Sequence, residues 1–172
     1  MTKVTLLGNA GGGKSTLSKP LGQAKGLPIY QLDKLQWNPG WVPTSQTEFD
    51  ARHDAILQTE QWIIDGVASL ASIERRLKAS DTIIFIDHPL WIHYWWAAKR
   101  QMMCLFRPRL DFVDGCSMLP KTFALAKMIW QVNKSFRPAI LKLINDCAGD
   151  KQVFHIRSPK ELTKFKAEQC GI

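Results

Sequence analysis

A glycine-rich loop that ends in a lysine is the sequence feature that most constrains the fold. Residues 3–17 read KVTLLGNAGGGKSTL, a short apolar run followed by four glycines and then Lys14. Gly8, Gly13, Lys14 and Ser15 match the pattern G-x-x-x-x-G-K-[ST], which is typical of a phosphate-binding loop when it lies between a strand and a helix. The apolar run predicts that strand, and the residues after the loop predict that helix.

Each part of this motif has a physical reason. Small residues let backbone N–H groups turn towards phosphate oxygens, and the N-terminus of the next helix adds the positive end of its dipole. Lys14 would bring a full charge to the β- and γ-phosphates, and the Ser15 hydroxyl would hold Mg²⁺. The sequence therefore predicts an ATP site. Its nucleotide-binding residues would be Gly8, Ala10, Gly11, Gly12, Gly13, Lys14, Ser15 and Thr16.

Strands and helices alternate along the rest of the chain. Most of the apolar runs have no polar face, which indicates strands that are covered on both sides. The alternation predicts an α/β fold with a parallel sheet between two helical layers. The predicted strands cover residues 3–7, 27–32, 61–66, 81–89 and 151–158.

The segment 91–149 differs from its surroundings in charge. It holds nine basic residues and three acidic ones, so it carries +6 of the formal net charge of +8. This imbalance predicts an anionic partner, with a solvated helix surface as the alternative. We expect a single domain over 1–172, in which 1–90 and 150–172 form the core and 91–149 forms a basic helical lid. Trp91, Trp95 and Trp130, which lie in this segment, are expected to be core or helix-packing residues.

Arginines in this segment are candidates for catalysis. Phosphoryl transfer develops charge on the phosphoryl oxygens, so positive groups that close over them would stabilise the transition state. We predict Arg100 as catalytic and Arg107 and Arg109 as nucleotide-binding, with a surface position as the alternative for each.

Three aspartates follow predicted strands: Asp33, Asp65 and Asp87. In an open parallel sheet, ligands bind beyond the carboxyl ends of the strands. Asp65 closes the apolar run WIID, which is typical of an acid on the metal side of an ATP site. Asp33 is placed to orient a phosphate acceptor, with an ion pair to Lys34 as the alternative. Asp87 is compatible either with a role in ligand binding or with a local role in a turn or helix cap.

Several longer stretches resemble one narrow family, the bacterial DNA topology modulation proteins, which are related to adenylate kinases. The resemblance covers almost the whole chain and is most specific in the aspartate-lysine-leucine stretch with two tryptophans. The stretches are LGNAGGGKSTL, LPIYQLDKLQWNPGW, WIIDG, RLKASDTIIFIDHP, SFRPAIL and FHIRSPKEL.

The resemblance implies a P-loop fold of the nucleoside-kinase type, with a five-stranded parallel sheet of order 2-3-1-4-5, a mobile lid, ATP and Mg²⁺. It points to Ser158 and Pro159 beside the adenine, and to Asp33, Asp65, Gly66 and Arg76 around the acceptor, with Arg76 binding an acceptor anion or lying on a helix surface. One departure is that Val67 and Ala68 follow Gly66, where relatives have polar residues.

These observations favour an ATP-dependent kinase with Lys14, Asp33 and Arg100 as catalytic residues and Ser15 and Asp65 at the metal. The acceptor would be a nucleotide or a similar metabolite. The alternatives are a nucleic-acid-associated ATP-binding protein and a simple ATPase. We expect a cytoplasmic protein, because the sequence has no membrane-spanning run, no signal peptide and no C-x-x-C pair. We also expect a monomer or a dimer.

Overall fold

Parallel strands form the centre of the computed structural model, which describes residues 1–104 and 122–171. Five of the strands in these residues make the main sheet, and two short ones form a separate antiparallel pair. The strands are β1 (Lys3–Gly8), β2 (Ile29–Gln31), β3 (Trp37–Asn38), β4 (Val42–Pro43), β5 (Trp62–Asp65), β6 (Thr82–Ile86) and β7 (Gln152–Ile156).

The order of the main sheet is β2-β5-β1-β6-β7, and every neighbouring pair is parallel. When these five strands are numbered by themselves, this is the predicted order 2-3-1-4-5, which is confirmed. β1 lies in the middle, so the glycine loop that follows it opens at the centre of the carboxyl edge. In the register, Leu6 pairs with Asp65 on one side and with Ile84 on the other.

Helices follow the strands as the alternating pattern predicts. Serine side chains cap three of them: Ser45, Ser69 and Ser158 each accept a hydrogen bond from a backbone N–H in the first turn. The α-helices in the described residues are α1 (Lys14–Lys25), α2 (Leu32–Gln36), α3 (Gln46–Leu57), α4 (Leu70–Ala79), α5 (Leu90–Cys104), α6 (Thr122–Gln131), α7 (Arg137–Cys147) and α8 (Pro159–Cys170).

Both faces of the sheet are buried, and neighbouring residues of β1 show how. Successive side chains of a strand point to opposite faces. Leu6 packs in the cluster that α1 and α8 form on one face, whereas Leu7 packs in the cluster that α4 and α7 form on the other. The predicted three-layer arrangement is therefore confirmed.

Helices α5 and α6 expose large apolar side chains. Trp91, Trp95 and Trp130 are 67%, 64% and 49% exposed, so the prediction of a core position is wrong for all three. Helical spacing identified their shared faces, but it does not say which face of a helix meets the core. No helix in the described ranges combines the length and apolar character that a membrane span requires.

Candidate active site

The loop between β1 and α1 has a backbone that most residues cannot adopt. Gly11 and Gly13 have φ angles of +68° and +81°, in the region that favours glycine. A Cβ atom on Gly11 would also lie 2.5 Å from the carbonyl oxygen of His93. The loop therefore keeps its tight path, with α1 beginning directly after it at Lys14.

Two side chains that the sequence motif does not include anchor this loop. The Asn9 amide donates to the carbonyl oxygen of Ile129 in α6 (2.7 Å), while its oxygen accepts from the N–H of Ala10 (2.8 Å). The ring of His93, in α5, contacts the Ala10 carbonyl oxygen through Nδ1 at 3.1 Å. Sequence reasoning missed both residues, because neither has a signal until the chain is folded.

Lys14 points back along the loop. Its ammonium donates to the carbonyl oxygen of Asn9 at 3.0 Å. Burial lowers the pKa of Lys14, the carboxylates of Asp65 and Asp33 oppose that shift, and Arg100 adds to it. These four charged groups are therefore close enough to interact electrostatically.

Ser15 and Asp65 lie together, as expected for the two sides of a metal shell. The Ser15 hydroxyl donates to Asp65 Oδ2 at 3.0 Å, and the Ser18 hydroxyl lies 3.3 Å from the same oxygen. Burial raises the pKa of Asp65, and Lys14 and the Ser15 hydrogen bond oppose this. A hydroxyl and a carboxylate are oxygen donors that fit Mg²⁺, which usually binds few protein groups and completes its shell with water and phosphate oxygens.

A cavity of about 1290 Å³ opens above the loop. Asp33 is exposed near the start of α2 and lines this cavity, and Arg100 lines it from α5. The predicted site residues that line it are Gly8, Ala10, Gly11, Gly12, Gly13, Lys14, Ser15, Thr16, Asp33, Asp65, Gly66, Arg100 and Pro159. Arg107 and Arg109 lie outside the described residues.

Arg76 differs from the prediction. Its side chain is fully buried, and its guanidinium donates to the carbonyl oxygens of Gly66 (3.0 Å), Val67 (2.9 Å) and Ser72 (3.3 Å). Burial lowers the pKa of Arg76 to about 9. This geometry argues against the predicted contact with an acceptor anion, since the donors are used to hold the loop after β5. Arg76 does not line the cavity.

Ser158 and Asp87 have local structural partners. Ser158 caps α8 by accepting from the N–H of Glu161, and it is Pro159 that lines the cavity. The Asp87 carboxylate accepts two hydrogen bonds from Arg137 (2.6 and 2.9 Å) and pairs with His155 at 2.8 Å. Asp87 is therefore an ion-pair centre at the carboxyl ends of β6 and β7.

The environment of His93 predicts that stability depends on pH, because burial lowers the pKa of His93 to about 4. The unfolded chain protonates this histidine below its ordinary pKa of about 6.5, so stability falls as the pH drops through that interval. Between pH 7 and pH 5, we expect His93 to lower the free energy of unfolding by about 2 kcal/mol. Urea unfolding at both pH values should show a smaller loss in His93→Asn, whose amide can still donate. An unchanged loss would contradict this assignment.

Comparisons with known proteins show the fold class. No known family profile matches the sequence, and no curated protein matches it. Shikimate kinase from Acinetobacter baumannii, solved with shikimate, has a TM-score of 0.61 at 13% identity, covering 98% of this chain and 92% of that one. A gluconokinase from Sinorhizobium meliloti 1021 has a TM-score of 0.52 at 13% identity, with coverages of 99% and 90%.

A deoxyadenosine kinase from M. mycoides, solved with dCTP, has a TM-score of 0.51 at 13% identity over 98% of this chain and 99% of that one. These structural neighbours are phosphotransferases that act on different molecules. Their likeness shows that this chain has the α/β fold of the P-loop kinases. Fold alone does not identify a substrate.

Proposed function

We propose that this protein is a Mg²⁺- and ATP-dependent kinase that transfers the γ-phosphoryl group to a small-molecule acceptor. One observation carries the proposal: Lys14, the Ser15–Asp65 pair and Asp33 all line the same cavity at the carboxyl edge of the sheet. A phosphate-binding loop, a metal-binding pair and an exposed carboxylate are the groups that phosphoryl transfer to a hydroxyl requires.

Each group has a role in this proposal. The loop N–H groups and Lys14 hold the β- and γ-phosphates, while Ser15 and Asp65 hold Mg²⁺, which neutralises phosphate charge when bound. Asp33 orients the acceptor hydroxyl and accepts its proton. Arg100 stabilises charge on the transferring group. The nucleotide-binding roles of Arg107, Arg109, Ser158 and Pro159 are part of the same proposal.

The resemblance to DNA topology modulation proteins supports the view that this protein is a specialised kinase. We propose that 91–149 forms its lid and that the enzyme acts in the cytoplasm, where ATP is abundant. Closure of a lid would exclude water and suppress wasteful ATP hydrolysis.

The direct test measures ADP formation from Mg·ATP with a panel of nucleosides, nucleoside monophosphates and hydroxylated metabolites. At least one acceptor should accelerate turnover, and Asp33→Asn should lower that kcat by roughly 10²–10⁴-fold with the KM for ATP little changed. Asp150→Asn, which removes an exposed carboxylate outside the cavity, is the control. Equal turnover with and without every acceptor would contradict the kinase function.

Nucleic-acid binding is the second candidate, and the surface of α5 and α6 favours it. Trp91, Trp95 and Trp130 are exposed on these two helices, which carry Lys99, Arg100 and Lys127 and no acid in their described residues. Exposed aromatic rings beside positive charge suit stacked bases and a phosphate backbone. Filter binding should then show DNA affinity that falls steeply as salt rises. No affinity at low salt would eliminate this candidate.

A further inference from the structure

We propose that the acceptor is an uncharged, hydroxyl-bearing compound with a flat ring, of the nucleoside class, and that nucleoside monophosphates and carboxylic acids are poor acceptors. This inference rests on the proposed kinase function and deepens it. It comes from the charge and chemistry of one wall of the cavity.

The sheet order divides the cavity into two sides. On one side of the central β1 lie β6 and β7, followed by α8, whose Leu162 would lie 3.1 Å from a Cβ atom on Gly13. The phosphate loop and α8 therefore form the ATP side. On the other side lie β2 and β5, and the last residues of these strands and the segments that follow them bring Asp33 and Asp65 into the cavity. We define the cavity-lining residues of these strand ends and following segments as the acceptor wall.

The acceptor wall is negative. It contains the exposed carboxylate of Asp33 beside Asp65, which the proposed function assigns to Mg²⁺, and none of its described residues is basic. Arg76, which was expected to bind an acceptor anion, is instead buried, and it donates to the carbonyl oxygens of Gly66 and Val67. Lys14 and Arg100 also line the cavity, but the proposed function assigns Lys14 to the phosphates of ATP and Arg100 to the transferring group. An acceptor phosphate or carboxylate at this wall would therefore meet the like charge of Asp33, without a basic side chain of the wall to pair with.

The remaining groups of the acceptor wall suit a neutral ring. Gln31 and Gln36 line it, and a glutamine amide offers both donors and an acceptor, as the edge of a nucleobase does. Trp37 also lines it, and aromatic rings stack on flat surfaces. Val67 packs on the same apolar cluster as Phe136, which lines the cavity as well. Val67 and Ala68, which follow Gly66 where relatives have polar residues, thus give the wall an apolar section.

The test compares kcat/KM with Mg·ATP for nucleosides against their own 5′-monophosphates. Shikimate and gluconate serve as anionic acceptors, and glycerol and glucose as uncharged compounds without an aromatic ring. We expect at least one nucleoside to exceed its monophosphate, and every acid and ringless compound, by tenfold or more. Preferred use of a monophosphate, an acid or a ringless compound would overturn the inference while leaving the kinase function intact.

A variant that adds a positive charge to the acceptor wall tests the same argument. Gln36→Arg places a cation on the acceptor wall, so the ratio of monophosphate to nucleoside kcat/KM should rise by tenfold or more. Gln58→Arg makes the same charge change at an exposed position outside the cavity and should leave the ratio unchanged. An unchanged ratio in Gln36→Arg, with normal unfolding by urea, would overturn the charge argument.

Failure of the proposed function has a different signature. Calorimetry with a non-hydrolysable ATP analogue and each acceptor measures binding separately from phosphate transfer. If no compound on the panel binds or accepts phosphate while the analogue still binds, both the kinase function and this inference are overturned. Binding of a nucleoside with phosphate transfer supports both.

Discussion

Lys14→Met is expected to lower the kcat of phosphoryl transfer by at least about 10²–10³-fold. The ammonium is the positive group at the centre of the phosphate loop, where it already donates to the Asn9 carbonyl oxygen at 3.0 Å. In a site that excludes water, loss of a charge aimed at the transferring group removes stabilisation that solvent cannot replace. Single-turnover kinetics with Mg·ATP and the best acceptor would measure the loss.

The folded state should tolerate this change. Burial lowers the pKa of Lys14, so the ammonium is held at a cost that a methionine of similar length avoids. Urea unfolding of Lys14→Met should therefore show a stability equal to or above that of the original protein. Lys25→Met, at the exposed end of the same helix, is the control for activity. Turnover of Lys14→Met within tenfold of the original would refute the assigned role.

Arg76→Ala is expected to lower the free energy of unfolding by about 4 kcal/mol. The substitution leaves a cavity in place of a large buried side chain, and it removes the donors to the carbonyl oxygens of Gly66, Val67 and Ser72. Buried carbonyl groups without partners are costly because water cannot reach them. Equilibrium unfolding in urea would measure the change.

Arg75→Ala is a matched control, since it lies beside Arg76 on α4. Arg75 is partly exposed and pairs with Asp50 and Asp54, so we expect a cost below about 1 kcal/mol. Arg76→Met separates the two parts of the effect, because methionine fills much of the space without supplying donors. Equal costs for Arg75→Ala and Arg76→Ala would refute the structural role of Arg76.

Much of the fold could be predicted because the deciding signals are local in sequence. Apolar runs without a polar face predict strands covered on both sides, and the runs before Gly8 and Asp65 became β1 and β5. The glycine loop needs only the strand before it and the helix after it. The strand order came from the family resemblance, since periodicity does not determine which strands pair.

Other features depend on contacts between distant segments, which no local pattern shows. Whether Arg76 faces a ligand or the interior depends on the carbonyl oxygens of the loop after β5, not on its helix alone. The exposure of Trp91 depends on how α5 sits on its neighbours. His93 and Asn9 became visible as anchors of the phosphate loop only when β1, α5 and α6 were brought together.

The Asn9 amide has a thermodynamic consequence. It joins the N–H of Ala10 to the carbonyl oxygen of Ile129, 120 positions after Asn9 in the chain. Order in the phosphate loop and order in α6 are therefore linked: any ligand that stabilises one also stabilises the other, and the coupling is reciprocal. The backbone amides of α6 would thus report loop occupancy through slower hydrogen exchange.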